Sequence, residues 1–309
     1  MTTDRPLLGI SLMLGFCVLA PLGDAVAKLL GDTTSLGMLL AVRFGLQVVL
    51  LAPLAPRTTR SLRLSRRIFT LTALRTILHM AGIGAMFMSL RFLPLADAIA
   101  IAFVMPFIML ILGKTVLNET VGSHRLAACA VGFIGTMLVV QPNFATVGAP
   151  ALLPLFVAVD FALFMLVTRQ IAKQIDPIPL QFVSGIMASA VLIPLMIFAP
   201  DSWAETAVHW PQAFDMFLLF LVGAVGTLAH LLMTGSLRYA PSATLAPMQY
   251  LEIPVATFVG WLIFRDLPNG LAALGIVVTV AAGLYVIWRE RFIARQALPP
   301  HGQVTPPAV

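Results

Sequence analysis

Arg91 to Val140 reads RFLPLADAIAIAFVMPFIMLILGKTVLNETVGSHRLAACAVGFIGTMLVV, and Arg238 to Ile287 reads RYAPSATLAPMQYLEIPVATFVGWLIFRDLPNGLAALGIVVTVAAGLYVI. Arg91, Pro94, Ala96 and Glu119 fall on Arg238, Pro241, Ala243 and Asp266 at one constant offset, and Pro106 meets Pro254 one residue out of step. Each stretch is a pair of apolar runs of membrane-crossing length joined by an acidic turn. Two matching residues arise easily by chance; two whole runs around the same acidic turn do not.

The rest of the chain is built the same way. Of 309 residues, 60% are hydrophobic and 10% charged, with a mean hydropathy of +0.98, where soluble domains carry roughly 25% charged residues. Apolar runs separated by turn residues give ten expected spans, at 7–30, 35–54, 68–90, 95–117, 124–141, 149–170, 178–199, 213–236, 243–264 and 270–288, each near the ~20 residues that cross a bilayer as a helix. The second copy of the motif begins five spans after the first, and an odd unit makes it enter the membrane from the opposite side. The expected fold is therefore all-α integral membrane, with ten transmembrane helices as two inverted five-helix repeats. Residues 1–145 hold spans 1–5; residues 146–309 hold spans 6–10 and a short cytoplasmic tail. Secondary transporters are commonly built this way, because two halves of opposite sense can exchange conformations around one central site.

The formal charge of +6 does not mark a nucleic-acid surface, since the basic residues end apolar runs instead of mixing with aromatics on a polar face. With the N-terminus in the cytoplasm, thirteen of the nineteen lysines and arginines fall on that side, among them Arg57, Arg60, Arg63, Arg66 and Arg67, and three (Lys28, Arg91, Arg265) at the outer boundary. That bias predicts cytoplasmic N- and C-termini, with a bacterial inner membrane as the expected home. A rival reading of the start exists: a short basic stretch, an apolar run and Ala25-Val26-Ala27 resemble a signal-peptidase site, although losing span 1 would spoil the repeat. Cys17 and Cys129 lie in apolar runs without CxxC spacing and read as small core residues. No metal or cofactor is expected. HExxH, GxSxG and P-loop patterns are absent, so uphill movement of a solute is expected to draw on an ion gradient, a coupling proton or exchange.

Charge inside the spans is the functional signal. Asp24 (span 1), Arg43 (span 2), Arg75 and His79 (span 3), Asp160 (span 6), His230 (span 8) and Glu252 (span 9) lie well inside apolar runs. A central charge costs roughly 2.5–3.5 kcal/mol on insertion scales, so three acids and two arginines facing lipid would cost on the order of 12–17 kcal/mol. They are expected instead to share a water-lined cavity between the halves. Arg75 and His79 share one helix face, and Asp24 and Lys28 share another; Asp24 and Asp160 occupy corresponding helices of the two halves. Span 9 adds Gln249, Tyr250 and Glu252 between Pro247 and Pro254, prolines that free carbonyls for a polar ligand. Plainer readings stand beside these: an Asp24–Lys28 ion pair at the outer end of span 1, an Arg75 that snorkels to a loop, and a His79 that packs instead of relaying a proton near its unperturbed pKa of about 6.5. Asp97, Glu119 and Asp266 are explained by capping and turns. Six phenylalanines, Phe16, Phe44, Phe103, Phe107, Phe161 and Phe164, are candidates to stack on a ring system, although most phenylalanines in a bundle simply pack.

The RFLPLADA turn, Pro106, the Asn118-Glu119-Thr120 turn and their second-half counterparts resemble the EamA branch of the drug/metabolite transporter superfamily. The resemblance spans essentially the whole chain. It implies a transporter and not an enzyme, moving a small polar or aromatic metabolite across the bilayer by alternating access, with Asp24, Arg43, Arg75, His79, Asp160, Gln249, Tyr250 and Glu252 as substrate-binding or translocation residues. Riboflavin uptake is the specific expectation, because the Gly-Asp-Ala-Val-Ala-Lys stretch in span 1 and the arginine-rich loop after span 2 are similar to the riboflavin-importing members. Amino acids or S-adenosylmethionine are the alternative within the family. From other classes, a channel stays open, and an intramembrane aspartyl protease matches poorly because Pro21 replaces the first glycine of its GxGD motif. A homodimer through Gly132 and Gly135 is a further option.

Overall fold

The computed structural model describes residues 5–31, 33–55, 65–140, 148–200, 203–206, 210–265 and 270–296. The arginine-rich loop from Arg57, the linker from Gln141 that divides the halves, and Asp266 lie outside them. Among the described residues the chain is entirely helical. We number the helices α1 (Pro6–Leu29), α2 (Leu36–Leu51), α3 (Arg66–Leu90), α4 (Leu95–Ala102), α5 (Met105–Val116), α6 (Ser123–Val140), α7 (Leu152–Ala172), α8 (Pro177–Phe198), α9 (Ala213–Tyr239), α10 (Ser242–Gln249), α11 (Glu252–Phe264) and α12 (Gly270–Gln296). Six helices are individually long and apolar enough to cross a membrane, while α2 and α5 are apolar but shorter. Phe198, Val277 and Ile197 are exposed on the outside, where lipid tails replace water.

Two of the expected spans are not continuous helices. The span expected at 95–117 breaks at Phe103–Val104 into α4 and α5, and the one at 243–264 breaks at Tyr250–Leu251 into α10 and α11. The second break falls between Pro247 and Pro254, as their chemistry requires; the first sits just before Pro106, whose ring cannot accept a helix turn on its N-terminal side. Phe103 and Tyr250 stand at the two breaks with ring centroids 5.5 Å apart, and Tyr250 Oη donates to the Phe103 carbonyl at 3.4 Å. The repeat is visible again at the ends of α5 and α11. Among the described residues only two non-glycine residues have positive φ, Asn118 at 52° and Arg265 at 62°, and they occupy matching positions of the two motifs. A left-handed residue there turns the chain out of one helix toward the next.

The halves interleave. Helix α1 packs along α9, α3 along α7, α2 along α8 and α6 along α12, so every major pairing joins one half to the other and a single core results. Local capping starts the segments: Ser35 accepts from the Met38 amide at 3.4 Å and Ser65 from the Ile68 amide at 3.3 Å. Cys17 and Cys129 are free and buried. Gly132 and Gly135, the candidate dimer face, are used within the chain instead. A Cβ on Gly132 would lie 2.6 Å from the Tyr250 ring, and one on Gly135 would lie 2.8 Å from the Gly275 carbonyl. Gly132→Leu is accordingly expected to lower the thermal unfolding midpoint by several degrees or to prevent folding, because overpacking a tight site costs about 1–3 kcal/mol or more; an unchanged midpoint in detergent would contradict this packing.

Candidate substrate cavity

A cavity lined by residues of both halves opens within the bundle. Asp24 from α1, Arg43 from α2 and Glu252 from α11 line it together, with His230 from α9, and Phe16, Phe87, Phe103 and Phe161 supply apolar and aromatic wall. Residues far apart in sequence meet here because α1, α2, α9 and the broken α10–α11 pair converge at mid-depth. Glu252 is the first residue of α11, so the broken span delivers a carboxylate from a helix end into the cavity. Of the expected site residues, Asp24, Arg43 and Glu252 are thus placed in the cavity wall.

Lys28 is engaged elsewhere: its ammonium donates to the carbonyls of Leu90 and Leu93 at 3.1 and 2.6 Å. Arg43, only 2% exposed, donates to Gln47 Oε1 at 3.3 Å and to His230 Nδ1 at 3.0 Å. His230 Nδ1 also lies 2.9 Å from the Gly226 carbonyl, so it accepts from Arg43 in one tautomer and donates to Gly226 in the other. Gly226 makes this possible, since a Cβ there would lie 2.7 Å from Arg43 Cζ.

Behind the wall, Arg75 is fully buried and does not snorkel. Its guanidinium donates to Thr168 Oγ1 (3.0 Å), Ser184 Oγ (2.8 Å) and Thr234 Oγ1 (3.3 Å), with Phe164 4.7 Å beneath it. The two arginines are joined by one chain of polar groups: Gln47 Nε2 donates to the Gln181 carbonyl at 2.6 Å, and Gln181 Nε2 to Thr234 Oγ1 at 3.4 Å. His79 is held in an aromatic box, 4.7 Å from Phe164, 5.1 Å from Phe44 and 4.3 Å from His230 by ring centroids, and neither of its nitrogens has a hydrogen-bond partner among the described residues. Asp160 lies against Gly82, which itself lines the cavity. Gln249 turns away toward Met165, its Nε2 2.9 Å from the sulfur, and Tyr250 serves the helix break and the packing of Gly132. Phe107 packs on Phe133 and not in the cavity wall.

His230 is among the intramembrane residues that the sequence marks but not among the expected site residues, and Gln47, Thr168, Gln181, Ser184 and Thr234 are not singled out at all. A signal was present for two of them: Gln47 is four residues after Arg43 and Thr234 four after His230, the spacing that places polar groups on one helix face. Thr168, Gln181 and Ser184 carry no comparable mark.

Fold and cavity together define a class, a multi-pass membrane protein with charged side chains gathered in a largely apolar cavity between its helices. The chain belongs to the EamA-like transporter family, whose model matches it twice, over residues 7–141 and 149–289. It is similar to the S-adenosylmethionine uptake transporter of Rickettsia prowazekii, 24% identical with 92% of this chain and 93% of the relative covered. It is also similar to the riboflavin transporter of Brucella anthropi, 25% identical over 82% of this chain and 89% of that one. A solved crystal structure superposes on 93% of this chain and 98% of its own with a TM-score of 0.71 at 16% identity, a likeness of fold alone.

Proposed function

We propose that this protein is a secondary transporter of the inner membrane, with cytoplasmic termini, that takes up a small metabolite bearing a ring system and a cationic centre by alternating access. The observation that carries the reading is the meeting of Asp24, Arg43 and Glu252 in one phenylalanine-walled cavity. Counted with Asp160 and Arg75 just behind the wall, three carboxylates face two guanidiniums, a formal charge of −1 when all are ionised. A buried charge left unbalanced is costly; a substrate of net charge +1 balances it, and in the empty cavity a proton on one carboxylate does the same. S-adenosylmethionine, the substrate named for the Rickettsia relative, has that charge and an adenine ring; riboflavin, named for the Brucella relative, supplies a ring system without the charge. The phenylalanines suit both, and the charge count favours the first. The broken α4–α5 and α10–α11 pairs support a carrier, because discontinuous helices at a central site are a recurrent transporter device.

Ligand-dependent thermal stabilisation of the detergent-purified protein tests this directly, since a ligand at a hundred times its Kd stabilises by about 2.7 kcal/mol. S-adenosylmethionine is expected to raise the midpoint more than S-adenosylhomocysteine, which lacks the sulfonium. A shift by riboflavin alone would overturn the cationic reading in favour of the second substrate, and no shift with any of the three would contradict both.

A further inference from the structure

We propose that Glu119 is the fastener that closes the face of the bundle carrying the N-terminus, by holding the first helix piece of the other half's broken span. Glu119 sits in the turn between α5 and α6, yet its carboxylate is bonded by residues of the other half. It accepts from the Ser242 amide (3.2 Å), the Ser242 hydroxyl (2.5 Å) and the Ala243 amide (3.0 Å), and from Arg169 Nε (3.2 Å). Helix α10 begins at Ser242 after Pro241, which offers no side-chain cap, so a carboxylate from across the interface satisfies its free amides and meets the positive end of its dipole. Arg169 in turn donates to the Leu237 carbonyl at 2.6 Å, tying the ends of α7 and α9 to the same carboxylate. Helix α10 leads directly to Tyr250 and Glu252, so one carboxylate couples this face to a wall of the cavity.

The contact is structural capping, as the sequence indicates, but across the halves. The basic residues around it have inverted counterparts on the opposite face. Lys28 donates to the Leu90 carbonyl as Arg169 does to that of Leu237, and Leu90 and Leu237 occupy matching positions of the two motifs. Arg91 donates to the Thr34 carbonyl at 3.0 Å as Arg238 does to that of Ile175 at 3.4 Å. The ion pairs that cross the halves are not equally shielded from water. The Arg169–Glu119 pair is 9% and 11% exposed, whereas the Arg91–Glu205 pair that crosses the halves on the opposite face is 20% and 46% exposed. Water competes more strongly for the second pair, so the Arg169–Glu119 contact is the better shielded of the two.

The proposal rests on alternating access, but its test needs no substrate, so the two readings fail separately. With Cys17 and Cys129 replaced by serine, Ala20→Cys places one thiol in the cavity wall, and its modification by a membrane-impermeant maleimide is timed in vesicles of each orientation. Glu119→Gln is expected to speed modification from the N-terminal face at least tenfold and to leave the rate from the opposite face unchanged or lower. Equal rates in the variant and the parent from both faces, or an equal rise from both, would overturn the fastener. Where Glu119→Gln does not fold, Ser242→Ala, which removes only the 2.5 Å bond, carries the same comparison: a rise confined to the N-terminal face supports the proposal, and no rise overturns it.

Discussion

Arg43→Ala is expected to lower the initial rate of uptake a hundredfold or more while the protein still inserts and folds. Arg43 is the cavity guanidinium, and its removal does three things at once. It deletes the positive charge facing Asp24 and Glu252 in the same wall; it leaves Gln47 Oε1 and His230 Nδ1 without their guanidinium partner; and it cuts the polar chain that leads through Gln181 and Thr234 to Arg75. A hydrogen bond to a charged group is worth up to about 3 kcal/mol, and at 1.4 kcal/mol per tenfold losing that contact with the substrate accounts for a hundredfold. Arg43→Lys is expected to recover only part of the rate, because an ammonium cannot reach Gln47 and His230 with the same planar fork. A rate within threefold of wild type for Arg43→Ala in proteoliposomes would remove Arg43 from the site.

The second large effect concerns charge selectivity. Asp24→Asn and Glu252→Gln each raise the formal charge of the cavity by one without changing its shape. Both are expected to weaken S-adenosylmethionine binding by about tenfold to a hundredfold, since a carboxylate and a sulfonium about 6–12 Å apart at an effective dielectric constant of about 20 attract by roughly 1.4–2.8 kcal/mol, while binding of S-adenosylhomocysteine changes far less. The quantity to follow is the ratio of the two dissociation constants. A ratio unchanged in both variants would show that neither carboxylate reads the sulfonium. Asp24→Asn is further expected to abolish transport, and full transport across pH would remove Asp24 from the translocation path.

These predictions depend on features that the sequence displays very unevenly. The membrane class and the repeat were legible because bilayer thickness and backbone hydrogen bonding leave few choices to a chain this apolar. The motif offset even anticipates the paired positions of Asn118 and Arg265 and of Phe103 and Tyr250, where the structure places left-handed turns and helix breaks. The break in the expected span at 95–117 carries no clear mark in the sequence, although Pro106 matches Pro254, because a single proline also suits the first turn of an unbroken helix. For the site, cost alone singled out Asp24, Arg43 and Glu252, but it could not separate the cavity wall from the layer behind it. Arg75 and Arg43 look alike in sequence, and only packing shows one solvated by Thr168, Ser184 and Thr234 and the other facing the cavity. The role of Glu119 was hidden for a similar reason, since a capping carboxylate looks the same whether the helix it caps is next in sequence or 123 residues away.

Counterflow in proteoliposomes tests the central claim most directly. Vesicles loaded with unlabelled S-adenosylmethionine are diluted into a trace of the labelled compound, and uptake is compared with that of unloaded proteoliposomes and of protein-free vesicles; riboflavin is run in parallel. An alternating-access carrier driven by exchange predicts a transient overshoot of label in the loaded proteoliposomes, reduced a hundredfold by Arg43→Ala. Label that only equilibrates, at the same rate with and without internal substrate, would contradict a carrier and point to a channel.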